Sequence, residues 1–111
     1  MDTQEDDGSL SFLNIPEDPG NRHFNCEQTG QQKLINRTFY VIDYMENIQT
    51  KFGQERFLIK IKFNLSDPES ETKKFFTNSK EIKYVLRKIR EMNKFPRRVT
   101  LRANGTRYYF E

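Results

Sequence analysis

The stretch ERFLIKIKFN, residues 55–64, decides how the chain reads. Phe57, Ile59, Ile61 and Phe63 fall on one side of an extended chain, and Arg56, Leu58, Lys60 and Lys62 on the other. Alternation sustained in this way is the pattern of a strand with one face in a core and one toward water. Upstream, KLINRTFYVIDYMEN (33–47) is rich in β-branched and aromatic residues and reads as the preceding strand. Between them Thr50-Lys51-Phe52-Gly53 reads as a turn, with Gly53 free to take a positive φ. Downstream, residues 66–71 with Pro68 form a polar loop, and TKKFFT (72–77) reads as a short third strand. Asn78 is the expected N-cap of a helix, with Glu81 in the capping-box position. Ile82, Val85, Leu86, Ile89 and Met92 then recur at helical spacing, and Pro96 is the expected stop. RRVTLRA (97–103) reads as a fourth strand, with Val99 and Leu101 inward and Arg98, Thr100 and Arg102 outward. Asn104-Gly105 is a strong hairpin signal, and TRYYF (106–110) reads as the fifth strand.

The resulting order, β-β-β-α-β-β, predicts a mainly β fold: a five-stranded OB-like barrel with one helix between strands 3 and 4. Barrels of that type bind oligonucleotides on the face of strands 2–3 and in the loops at one end. A split β/α sandwich wired differently gives the same string.

The 111 residues suit one domain, and the formal net charge of +3 conceals an asymmetry. Residues 1–32 carry a net −6 and residues 33–111 a net +9. The acidic segment is poor in apolar residues and reads as largely disordered, leaving residues 33–111 as a basic OB-like domain. Its one apolar island, Leu10, Phe12, Leu13 and Ile15, suits a partner-binding motif, a docking anchor or a segment with no specific role. The N-terminus lacks the basic-then-apolar pattern of a signal peptide, and no apolar run approaches a membrane span. A cytoplasmic protein without membrane association is expected. Cys26 is the only cysteine and His23 the only histidine, which excludes an internal disulfide and disfavours metal or relay chemistry. No catalytic residue, metal or cofactor is expected, so the chain reads as a binding protein and not an enzyme. The sequons at Asn36, Asn64 and Asn104 read as chance matches in an Asn-rich chain.

From residue 33 onward there are thirteen Phe or Tyr residues interleaved with cations. In each adjacent aromatic pair, period-two geometry sends one ring to each face. Cations on a sheet face neutralise phosphates, and exposed rings stack on bases. The expected phosphate contacts are Arg37, Lys51, Arg56, Lys60, Lys62, Lys74, Arg98, Arg102 and Arg107. The expected stacking rings are Tyr44, Phe52, Phe76 and Tyr109. The helix cations Lys83, Arg87, Lys88 and Arg90 read as solubility and long-range attraction.

FYVIDYMENIQTKFGQERFLIKIKF (39–63), followed by KKFFTNSKEIKYVL (73–86), resembles small OB-fold single-stranded DNA-binding proteins of bacteriophages and mobile elements. Phe95-Pro96 and the aromatic last strand add to the likeness, which covers residues 33–111 only. The resemblance implies sequence-tolerant binding of single-stranded DNA, in support of replication, recombination or strand protection. By position it places Lys51, Phe52 and Arg56 at the first turn, Lys60 and Lys62 on the second strand, and Lys74 and Phe76 on the third. One departure is that many such proteins carry an acidic tail at the C-terminus, whereas here the acidic segment is N-terminal, so no tail function is carried over. RNA stays open as a ligand, because discrimination rests on 2′-OH contacts that leave no sequence signature. The alternative reading is a small phage-like interaction or inhibitor module working through its acidic head. The ring-rich stretch Arg107-Tyr108-Tyr109-Phe110 suits either barrel closure or pairing with a second copy.

Overall fold

A computed structural model describes residues 24–111. The expected disorder of the acidic head, its apolar island and His23 lie outside these described residues for positions 1–23. The elements are β1 (Glu27–Gln28), a 3-10 turn (Gln31–Leu34), β2 (Thr38–Thr50), β3 (Gly53–Lys62), a 3-10 turn (Glu69–Glu71), β4 (Lys73–Thr77), α1 (Lys80–Glu91), β5 (Arg97–Asn104) and β6 (Arg107–Phe110). The fold is mainly β, with six strands in one mixed sheet ordered β1-β4-β3-β2-β5-β6. All neighbours are antiparallel except β1 and β4, which run parallel. The strand beyond the expected five is β1, and the predicted boundary at residue 32 falls inside a 3-10 turn whose Leu34 is buried.

Long strand β2 organises the sheet. Its first residues pair with β5 through Phe39↔Val99, while its whole length pairs with β3 as far as Thr50↔Gly53. Register shifts interrupt the β2–β3 ladder between Val41 and Asp43, Met45 and Ile48, and Ile48 and Thr50. Extra residues of this kind bend a strand and increase its twist. The bent sheet carries the main core on its inner face: Phe39, Val41, Tyr44, Phe57, Ile59, Ile61, Phe75, Val99 and Leu101, together with Leu34 and the helix residues Ile82 and Leu86. The expected inward set of β3 therefore holds, with Phe63 half-buried at its end.

The edges β1 and β6 do not pair, so the sheet is open. Side chains span the gap: the Ser79 hydroxyl donates to the Tyr108 carbonyl at 2.6 Å, and the Thr77 hydroxyl to Gln31 Oε1 at 2.6 Å. A cavity of about 380 Å³ remains between the helix start and β6, lined in part by Gln31, Ser79, Lys80 and Tyr108.

Three local expectations shift. Ser79, not Asn78, caps α1: its Oγ accepts from the Ile82 N–H at 3.2 Å. The helix ends at Glu91 with Met92 as its C-cap, short of Pro96. Asn93 sits at φ 55, with Asn93 N donating to Arg90 O and Lys94 N to Ile89 O, the paired bonds of a Schellman end. Gly53 has no positive φ; a Cβ there would meet Asn78 Nδ2 at 2.8 Å. The glycine that does use its freedom is Gly105, φ 65, at the first position of the β5–β6 turn.

The cations of α1 tie the helix to the hairpin. Arg87 donates twice to Glu46, Arg90 to Asp43 Oδ1 and the Tyr44 carbonyl, and Lys83 to the Glu55 carbonyl. These three therefore also hold the helix against the hairpin, while Arg87 and Arg90 stay about half exposed. Among the described residues no helix is long and apolar enough to cross a membrane.

Candidate functional site

The outer face of the sheet carries two unlike halves. On β3 and β4, outward Leu58 and Phe76 meet Ile48 of β2 in a second apolar cluster, flanked by Met45 and Phe24. On β2, β3 and β5, the same face is polar. Cross-strand partners in an antiparallel ladder point to one side. Tyr40 is opposite Lys62 on β3 and opposite Arg98 on β5, so the register builds a row Lys62–Tyr40–Arg98 across three strands. Since Phe39 is fully buried in the core, Tyr40 faces outward, where it is half-exposed. Thr38 and Thr100 form the next row, their hydroxyls 2.7 Å apart, and Arg102 follows along β5.

The electrostatics of this face are uneven. Lys60 Nζ lies 3.2 Å and Lys62 Nζ 3.4 Å from the two oxygens of Glu69, whose exposed carboxylate is held below its ordinary range mainly by the bond from Lys60. Arg102 donates to Glu111 Oε1 at 2.6 Å and to Asn36 Oδ1 at 3.0 Å. Arg97 and Arg98 are exposed and have no carboxylate partner among the described residues. The unspent positive charge of this face is Arg98, beside Tyr40; Arg97 is opposite core-facing Val41 and points to the other side.

The remaining expected contacts divide between two ends of the molecule. Lys51 and Phe52 stand at the β2–β3 hairpin tip, Phe52 being 75% exposed with Lys51 Nζ 5.1 Å from its ring centroid. Arg56 lies half-buried over the Phe76 ring at 4.6 Å and donates to Thr50 Oγ1. Burial without a counter-charge lowers its affinity for its proton, and its Nε is buried without a partner. Arg107 is paired with Glu81 and covers the half-buried Tyr109 ring at 4.5 Å. At the start of β2, exposed Arg37 covers Phe63 at 4.3 Å.

Three expected site residues are corrected. Tyr44 is buried, not a stacking ring: it lies on Phe57 at 5.3 Å and 15° and beneath Arg90 at 3.8 Å. Burial, then the bond its hydroxyl donates to Glu46, pushes its pKa up to about 12. Phe76 points outward as expected but is buried in the second cluster. Lys74 also points outward but is fully buried, its Nζ donating to the Phe24 carbonyl at 2.8 Å. Sequence reading missed Tyr40, although strict alternation from core residue Phe39 already points it outward.

No curated protein and no solved structure matches the chain. Residues 25–111, which include β1 and all later elements, match one family over its span. By that match the chain belongs to the family described as Domain of unknown function (DUF8468).

Proposed function

We propose that this domain binds single-stranded nucleic acid, without sequence preference and without catalysis, across the outer face of β2, β3 and β5. The observation that carries the reading is the row Lys62–Tyr40–Arg98: one half-exposed ring between a lysine paired with exposed Glu69 and an arginine that has no carboxylate partner among the described residues. A ring flanked by cations is the minimal unit for stacking one base while neutralising its two phosphates. In this reading the five longer strands form a partly open OB-like barrel, with β1 added along its edge. Phe52 and Lys51 at the hairpin tip extend the track. The biological setting proposed is protection of single strands during replication or recombination.

The test is fluorescence anisotropy on a labelled 20-mer oligothymidine, with RNA and duplex competitors. With three or four phosphates neutralised, affinity should fall roughly 20- to 50-fold between 50 and 200 mM salt. Tyr40→Ala should weaken binding by about 1–3 kcal/mol. Arg98→Ala should weaken it on all sequences alike and reduce the salt slope by about 0.7. Binding that is absent at low salt, or indifferent to both substitutions, contradicts the proposal.

A further inference from the structure

The open seam of the sheet holds a second cavity, of about 220 Å³, lined in part by Gln28, Thr29, Gln31, Gln32, Arg56 and Tyr108. It shares Gln31 and Tyr108 with the larger cavity at the start of α1, so the two adjoin between the 3-10 turn and β6. The smaller cavity has one charged side chain in its lining, Arg56, and no carboxylate. Arg56 Nη1 donates to Thr50 Oγ1 at 3.1 Å and its plane covers Phe76, but its Nε is buried with no partner. No carboxylate pairs with it among the described residues. A buried N–H of a permanent cation left unbonded is costly, and Nε belongs to the edge of the guanidinium that holds two oxygens of one oxyanion. Gln31 Oε1 is already taken by the Thr77 hydroxyl, so what Gln31 has left to offer is its amide N–H pair. The start of α1 lies beside Arg56: a Cβ on Gly53 would meet Asn78 Nδ2 at 2.8 Å and the Arg56 stem at 3.5 Å. Two residues on, exposed Lys80 lines the larger cavity and has no carboxylate partner among the described residues, whereas Arg107 in the same wall is paired with Glu81.

From the cavity, the unbonded guanidinium edge and the donors around it, we infer that this seam binds a phosphate monoester. Arg56 takes two of its oxygens, the Gln31 amide donates to the third, and Lys80 reaches in on its flexible stem from the adjoining cavity. A phosphate monoester carries close to two negative charges at neutral pH, matching the two uncompensated cations; a carboxylate carries one and leaves Lys80 unmatched. The esterified group occupies the remaining volume beside Tyr108. Arg56 stands six residues along β3 from Lys62, about 20 Å, so the site is separate from the row Lys62–Tyr40–Arg98 and does not rest on the strand binding proposed above.

The test titrates the isotopically labelled full chain, at constant ionic strength, with inorganic phosphate, thymidine 5′-monophosphate, thymidine and acetate. The Arg56 Nε–H resonance and the Gln31 side-chain amide are followed by NMR. Phosphate and the monophosphate should shift both saturably, and thymidine neither. Acetate should bind about two- to fivefold more weakly than phosphate, and Lys80→Gln should cost phosphate the same factor while leaving acetate unchanged. Arg56→Lys keeps the charge but loses the fork, and should weaken phosphate at least about tenfold. Shifts that do not saturate, that spread equally to the exposed cations Lys51 and Arg98, or that persist undiminished in folded Arg56→Lys overturn the site. Should Arg56→Lys fail to fold, an unchanged phosphate affinity in Lys80→Gln overturns it. Oligothymidine with a 5′-phosphate or a 5′-hydroxyl then separates two sources of the ester. A gain in affinity from the 5′-phosphate, abolished by the free monophosphate, makes a strand end the ligand; equal affinity makes it a free ester. If the monophosphate binds and neither oligothymidine does, the site stands and the nucleic-acid reading falls.

Discussion

Tyr44 shows how one inserted residue changes a side chain's role. Phe39 and Val41 face the core, and simple alternation from them sends Tyr44 outward. The register shift between Val41 and Asp43 adds one residue, so Tyr44 turns inward onto Phe57 instead. Bulges are set by pairing with another strand, and nothing in the local sequence announces this one. The consequence is a phenol that resists ionisation. Its pKa is raised in the folded state, so its contribution is complete below the unfolded value near 10 and is lost as pH climbs toward about 12. Tyr44→Phe keeps the stacked ring and removes the titration. Urea unfolding at pH 9 and pH 11.5 should show the wild type losing on the order of 2 kcal/mol more than Tyr44→Phe over that interval. Equal losses in both proteins would mean that the hydroxyl is solvated. Tyr40, by contrast, was legible: no bulge separates it from Phe39, and alternation alone gives its direction.

At the scale of elements, types and order were legible because periodicity is local. The β3 alternation and the α1 stripe follow from residues a few positions apart; the inward side of β3 holds although outward Leu58 is also buried, and the stripe holds at Ile82 and Leu86 but not at exposed Met92. Ends were less legible. Asn78 and Ser79 are both good cap residues, and the sequence contains no reason to prefer either. Ser79 is selected by a contact across 29 positions: the same oxygen that accepts from Ile82 N–H donates its proton to the Tyr108 carbonyl on β6. Ser79→Ala therefore removes a cap and a tie between the helix and an open edge. The expected cost is about 1–3 kcal/mol in urea unfolding. Asn78→Ala, at an exposed position that caps nothing, should stay within about 0.5 kcal/mol. A reversed order of the two would restore Asn78 as the cap. At the other hairpin, Gly105→Ala forces a Cβ into φ 65 and should cost about 1 kcal/mol, although nothing lies within 4 Å to clash with it.

For the whole molecule, the question is where the domain begins. Charge and composition place the boundary at residue 32, because residues 24–32 contain too few apolar side chains to look like part of a core. Their contacts explain the difference, since the hydrogen bonds and ion pair that hold them to β4 are with residues more than 40 positions away. Gln31 accepts from Thr77, Thr29 N–H donates to the Lys74 carbonyl, and Glu27 pairs with Lys73. Phe24 packs beside Leu58 and Phe76. Such pairings leave no periodic trace in sequence, which is also why the burial of Phe76 and Lys74 was not legible although their outward direction was. The segment covers the free edge of β4, an edge that otherwise presents unpaired backbone groups for association. Two truncations separate the readings. A chain starting at residue 24 keeps every one of these contacts and should unfold within about 0.5 kcal/mol of the full chain. A chain starting at residue 33 loses two strand-like backbone ties, a side-chain bond and the burial of one phenylalanine. Its stability should drop by at least about 2 kcal/mol, and its exposed β4 edge should make it self-associate at concentrations where the longer chain stays monomeric. Equal midpoints for the two truncations in urea would return the boundary to residue 32 and reduce β1 to an accessory contact.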